Sequence, residues 1–154
     1  MASTISLIAP IMGEVIGLEE VPDPVFSEKM MGDGLAIIPT EGKVVAPCDG
    51  KIIHVFPTKH AMGMLTKEGI ELLIHIGLET VNLKGKGFDS FVEANTEVKQ
   101  GQLLISFDLK YVSENAKSLI TPIVITNMNK VNNISIKKNI VKSEKDVIMN
   151  IDIK

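Results

Sequence analysis

Two histidines carry most of the chemical potential of this chain. His75 lies in Leu72-Leu73-Ile74-His75-Ile76-Gly77-Leu78-Glu79-Thr80, an aliphatic strand that ends in a glycine turn. An imidazole placed there is open to tuning by burial and by backbone contacts. If one ring nitrogen is pinned and the other is free, the neutral ring is a nucleophile. His60 lies in Phe56-Pro57-Thr58-Lys59-His60-Ala61-Met62, in a turn ahead of the next strand. Thr58, two residues earlier, is within reach of its ring. Residues 62–66 and 71–76 read as a hairpin turned at Lys67-Glu68-Gly69. Counting back from Glu68 sets His75 across from about Ala61, so the two imidazoles are expected to meet at one sheet edge. The competing reading is a pair of inert core or surface histidines.

Facing imidazoles suit two jobs. They can bind a transition metal with a third ligand, but no third ligand stands out in this sequence. Alternatively, one ring accepts a phosphoryl group while the other donates hydrogen bonds to its oxygens. That job is largely positioning and charge stabilisation, so a small site is enough. It also suits the composition: every basic residue is lysine, so no bidentate guanidinium is available to hold an anion. The third histidine, His54, is expected on the face of Ile52 and Phe56, without chemistry. Cys48, the single cysteine, has no Cys or His cluster around it and reads as structural. A swinging-arm biotinyl or lipoyl carrier is the main rival reading. It rests on Val98-Lys99-Gln100-Gly101-Gln102-Leu103-Leu104 followed by Asp108-Leu109-Lys110, and it makes Lys110 the modified residue.

These groups must be positioned by β-structure. Short aliphatic runs alternate with Gly, Pro, Asp and Asn every eight to twelve residues or so. Candidate strands are 5–9, 14–17, 35–39, 42–46, 50–56, 62–66, 71–76, 97–98, 102–107, 123–126 and 147–153. The spacing predicts an all-β fold, an antiparallel sandwich or barrel-like arrangement with one or two very short helices. Those helices are expected at 24–30 and at 113–119, the second with Ser113 near its N-cap. Residues 127–133 read as a polar surface loop. Ile8-Ala9-Pro10-Ile11-Met12-Gly13-Glu14-Val15-Ile16 is echoed by Val45-Ala46-Pro47-Cys48-Asp49-Gly50-Lys51-Ile52-Ile53, which suggests two related β-halves.

The 154 residues are expected to form a single domain, 1–154. Hydrophobic content of 45% and a mean hydropathy of +0.23 exclude a disordered chain. No apolar run reaches the roughly 20 residues that span a bilayer, and no leader with a basic start is visible. A cytoplasmic monomer with no membrane insertion is the expectation. A net charge of −3 and the absence of tryptophan argue against nucleic acid as a partner.

The residues from Gly69 to Val81 resemble the signature of glucose-class enzyme IIA of the bacterial phosphoenolpyruvate-dependent sugar phosphotransferase system. The likeness continues through Val21-Pro22-Asp23-Pro24-Val25-Phe26, Gly32-Asp33-Gly34, Val45-Ala46-Pro47, Thr58-Lys59-His60-Ala61, Leu83-Lys84-Gly85 and Thr121-Pro122. The resemblance implies a β-sandwich phosphocarrier with a phosphohistidine intermediate. His75 would take a phosphoryl group from the histidine-containing phosphocarrier protein, on the tele nitrogen. It would pass the group to a cysteine of a membrane-bound IIB domain. His60 would stabilise the phosphoryl group, with Thr58 and the Gly77 carbonyl orienting the rings. Asp23 and Glu79 match positions near that face, Glu79 standing where aspartate is often found. The docking rim maps to Val25, Phe26, Met30, Met31, Phe56 and Leu73. The resemblance implies no required cofactor. A divalent metal such as zinc, held by His60 and His75 with a partner's carboxylate, is compatible with it.

Overall fold

Side chains alternate across a strand, so an aliphatic run without interruption needs apolar cover on both faces. Leu72-Leu73-Ile74 is such a run, and the fold supplies both covers. A computed structural model of the chain describes residues 3–141 and 145–154. Along the chain come β1 (Ser3–Ile8), β2 (Gly13–Gly17), a 3-10 turn (Leu18–Glu20), α1 (Pro24–Ser27), β3 (Asp33–Pro39), β4 (Lys43–Val45), β5 (Gly50–Val55), β6 (Ala61–Thr66) and β7 (Glu71–His75). A second 3-10 turn (Thr80–Leu83) leads to β8 (Phe88–Ser90), β9 (Glu97–Val98), β10 (Leu103–Phe107), α2 (Leu109–Asn115) and β11 (Thr121–Ile125). A third 3-10 turn (Met128–Lys130), β12 (Val131–Ile136) and β13 (Val147–Ile153) complete it.

The strands form one seven-stranded sheet, β2-β3-β11-β7-β6-β5-β9, and two three-stranded sheets, β1-β13-β12 and β4-β10-β8. Every pairing among these strands is antiparallel, as the sequence predicts. Leu72 and Ile74 of β7, Ile123 and Ile125 of β11 and Met62 and Met64 of β6 join residues of both small sheets in one core. The alternate positions face the other way. Leu73, Val124, Ala61 and Ala36 form a second, smaller cluster with Leu18, Val21 and Phe26 from the segment around α1. His75 follows Leu73 at the next outward position of β7, so alternation alone sets it on this second face.

The echo between the two β-halves is real in three dimensions. The Ile8 amide bonds the Pro47 carbonyl at 3.0 Å, and the Val45 amide bonds the Pro10 carbonyl at 2.8 Å. These are the same bond made reciprocally by matching residues. Ala9 and Ala46 bond Asp146 and Gln102 in the same fashion, and Val15 and Ile52 bond Asn139 and Thr96. The sheet orders repeat the symmetry about a pseudo-twofold axis between β11 and β7: β2 corresponds to β5, β3 to β6, and one small sheet to the other.

Two local expectations fail. The second helix begins at Leu109, not near Ser113, because Asp108 caps it by accepting from the Tyr111 amide at 3.0 Å. Residues 127–133 are not simply a loop: they hold a 3-10 turn and the start of β12, whose Asn132 and Asn133 are exposed positions of an edge strand. Its polar outer face hid the strand period.

Candidate functional site

The predicted register holds: Ala61 pairs with His75 across β6 and β7. The Ile76 amide also bonds the His60 carbonyl at 2.7 Å, tying the two histidine segments together. The imidazole rings lie 5.0 Å apart between centroids, edge to face at 81°. Phe26 sits against His75 at 5.2 Å and Phe56 against His60 at 5.4 Å, so aromatic rings bracket the pair.

Each ring has one nitrogen engaged. His75 Nδ1 lies 2.8 Å from the Gly77 carbonyl oxygen. A carbonyl only accepts, so Nδ1 carries the proton and Nε2 keeps its lone pair. Gly77 reaches this geometry at φ +72°, and a Cβ there would sit 2.7 Å from Thr80 Cγ2 and 2.8 Å from the Ser118 oxygen. Thr58 Oγ lies 2.5 Å from His60 Nδ1. Two non-glycine residues next to these groups, Lys59 and Glu79, are left-handed at φ 58° and 59°. Such conformations cluster at functional sites, where surrounding structure holds them.

Both rings are shifted toward neutrality. His60 is 3% exposed. Burial pushes its imidazole from 6.5 down to about 4, and the neighbouring His75 adds to the effect. His75 is also lowered by burial, but the Gly77 carbonyl and the Asp23 charge oppose that shift. The arrangement therefore offers a neutral nucleophilic nitrogen beside a neutral ring able to donate.

The other predicted residues fall in different places. Asp23 is partly buried and caps α1, accepting from the Val25 amide at 3.0 Å. Glu79 is exposed and makes no side-chain cap bond to the following turn. Val25, Met30 and Met31 are exposed apolar residues, as a rim requires, and Phe56 is half-buried. Phe26 and Leu73 are not on the rim: both are buried in the second cluster, where they floor the site. His54 does not share the face of Ile52. A β-bulge between Ile52 and His54 breaks the alternation, leaving Ile52 buried and His54 exposed, while the His54 ring still meets Phe56 at 4.9 Å. Cys48 is buried, and burial pushes its thiol up to about 12, which leaves it inert as expected. Lys110 lies in the first turn of α2 rather than at a tight hairpin tip, the setting the carrier reading needs.

Sequence reasoning missed the support beneath Gly77. The buried Thr80 hydroxyl donates to the Ile76 carbonyl at 2.6 Å, and buried Thr121 Oγ accepts from the Gly77 amide at 3.3 Å. The Leu78 amide bonds the Ser118 carbonyl at 2.9 Å. Thr80, three residues beyond the glycine in an apolar stretch, was the available signal; Thr121 comes from a distant strand. Val81, 51% exposed on the 3-10 turn after Gly77, is a further missed apolar surface residue.

Known proteins resemble this chain in sequence and in fold. The chain is 52% identical over 146 residues to the glucose-specific EIIA component of the phosphotransferase system (PTS) of Staphylococcus epidermidis, spanning 94% of this chain and 88% of that protein. It is 60% identical over 121 residues to the PTS glucose-specific EIICBA component of Staphylococcus carnosus, covering 79% of this chain and 18% of that longer protein. The solved structure of glucose permease IIA from Mycoplasma capricolum superposes with a TM-score of 0.89 at 43% identity, over 96% of both chains. Residues 5–131 match the family described as phosphoenolpyruvate-dependent sugar phosphotransferase system, EIIA 1. Likeness at this level over nearly the whole chain means that the protein belongs to that EIIA family.

Proposed function

We propose that His75 is the phosphoryl-carrying residue of this phosphotransferase-system component. The family sets the coarser role, a phosphocarrier in sugar uptake. The observation that carries the site assignment is the pinned Nδ1 of His75, 2.8 Å from the Gly77 oxygen, which leaves Nε2 as its nucleophile beside His60. Nε2 attacks the phosphorus of a phosphohistidine on the histidine-containing phosphocarrier protein. The new N–P bond forms as the donor's N–P bond breaks. The Gly77 carbonyl dipole offsets the positive charge gained by the ring, and Asp23 acts in the same direction. Thr58 donates to His60 Nδ1, so the neutral His60 presents Nε2–H to a phosphoryl oxygen. A cysteine thiolate of a IIB domain then takes the group. On this reading Val25, Met30, Met31 and Phe56 form the apolar rim for both partners, with methionine supplying an adaptable fit. Phe26 and Leu73 support it from below.

Relatives named for glucose and for glucosamine match at 60% and 55%. That suits a domain that handles phosphate and never touches the sugar. No helix among the described residues is long and apolar enough to cross a membrane, and the proposed working form is a cytoplasmic monomer. The two imidazoles offer two metal ligands at most, and no group of three His, Cys, Asp or Glu gathers among the described residues. A zinc ion held by the two imidazoles would take its further ligands from water or from a partner's carboxylate. The carrier reading through Lys110 and the free-standing metal-protein reading find no support among the relatives.

The test is incubation with phosphoenolpyruvate and the two upstream components. An acid-labile phosphohistidine should form in the wild type and be absent in His75→Ala. Full labelling of His75→Ala would overturn the assignment. His60→Gln should still accept phosphate but pass it to the IIB domain slowly; wild-type transfer by that variant would remove His60 from the mechanism.

A further inference from the structure

We infer that His54 is a positioning residue for this site, holding His60 through the ring of Phe56. The kinetic consequence rests on the phosphoryl-transfer reading above; the geometric claim does not. The first observation is the bulge in β5. Ile52 pairs with Met64 and His54 with Gly63, so Ile53 is an extra residue in the ladder. The pseudo-symmetric strand β2 pairs with β3 without a shift, from Gly13 to Gly17. The shared β architecture therefore does not require the bulge; it belongs only to the half that bears the histidines. Bulges re-aim side chains, and this one carries His54 out of register with Ile52 to lie against Phe56. Gly63 lies opposite the bulge: a Cβ there would crowd Ile53 Cγ1 at 3.3 Å and stand in ordinary contact with His54 Cβ at 3.8 Å.

The second observation is an unequal bracket. The rings run Phe26, His75, His60, Phe56, His54, with neighbouring centroids 4.9–5.4 Å apart. At one end Phe26 is anchored by burial in the second cluster. At the other, Phe56 packs against the edge of that cluster but stays half-buried, and it borders an open cleft of about 390 Å³, lined by His54, Pro57, Lys59, Val92, Glu93 and Ala94. Among the described residues, the ring contacts of Phe56 are His60 and His54. The backbone of Phe56 also closes the turn that carries Thr58 and His60, with its amide on the Ala61 carbonyl and its carbonyl accepting from Lys59. On this inference, loss of the His54 ring leaves the cleft-facing side of Phe56 without its neighbouring ring and lets it tilt toward the cleft. The edge contact that sets the His60 ring then goes with it.

The test uses His54→Ala and His54→Phe in the full chain. Nitrogen-15 chemical shifts of the His60 imidazole report its tautomer and need no partner. They should move toward tautomer averaging in His54→Ala, stay near wild type in His54→Phe, and leave the His75 Nδ1 signal in place. The maximal rate of transfer to a IIB domain should fall about threefold to tenfold in His54→Ala, the range set by one aromatic pair. The acceptor KM should be unchanged, and His54→Phe should restore the rate. Unchanged His60 shifts in His54→Ala would overturn the inference. So would a rise in KM alone, which assigns His54 to docking, or no rescue by phenylalanine. If wild-type His75 never takes phosphate, the phosphocarrier assignment falls, and the ring shifts still decide whether His54 positions His60.

Discussion

At the scale of single residues, the site is built from two rings made neutral by burial. His60 drops to about 4 from 6.5. Between those values the unfolded chain binds a proton on this residue that the folded chain does not. Stability from His60 is therefore intact above pH 6.5 and declines as pH falls toward 4, by up to about 3 kcal/mol. His75 is shifted in the same direction. Urea unfolding of the wild type should lose more free energy between pH 6.5 and 4 than His60→Gln does; parallel pH profiles would refute the buried neutral ring. Gly77 is the other single-residue lever. Its φ is +72°, and a Cβ at this position would approach Thr80 to 2.7 Å, which leaves no room for alanine. Gly77→Ala should cost about 1–3 kcal/mol in denaturant titration, and should loosen the His75 Nδ1 bond seen by NMR.

At the scale of elements, short helices are placed by caps, and one cap doubles as site electrostatics. Asp23 accepts from the Val25 amide and also acts on His75. Asparagine keeps the acceptor and removes the charge. Asp23→Asn should leave α1 in place while the His75 pKa falls further in an NMR titration; an unchanged pKa would show that the charge does not reach the ring. Asp23→Ala should add a stability loss of about 1 kcal/mol from the missing cap. The β6–β7 hairpin shows why the histidine pair is legible in the sequence. Its turn at Lys67-Glu68-Gly69 fixes register, and register sets His75 across from Ala61. Helix α2 shows the opposite case. Asp108 follows directly on β10, so the cap that starts the helix looks like part of a hairpin.

At the scale of the whole molecule, two pseudo-equivalent halves share one scaffold, and only one of them carries the histidines. Matching β2 to β5 and β3 to β6 through their registers, with Ile37 on Met64 and Pro39 on Thr66, puts Asp33 where His60 stands, so the imidazole has no counterpart in the other half. The large core between the three sheets is separate from the cluster under the site. Ile151, fully buried in β13, belongs to the large core. Ile151→Ala should therefore lower unfolding free energy by about 2–5 kcal/mol. The fraction of folded molecules able to take phosphate on His75 should stay at the wild-type level; a proportional loss of acceptance would mean the two clusters act as one.

Local sequence determined most of the strands, though not β8 or β12, together with the glycine turn after His75, the register that pairs it with the His60 segment and the echo of the two halves. Those features depend on period, turn chemistry and short loops, all of which are written within a few residues. Tertiary structure alone decided the rest. Thr121 comes from a strand far along the chain to hold Gly77, and Phe26 and Leu73 sink beneath the rim because the segment around α1 folds over the sheet. The bulge that turns His54 onto Phe56 exists only where β5 meets β6. Burial is likewise a property of the assembled sheets, so the neutrality of both imidazoles could not be read until they were packed.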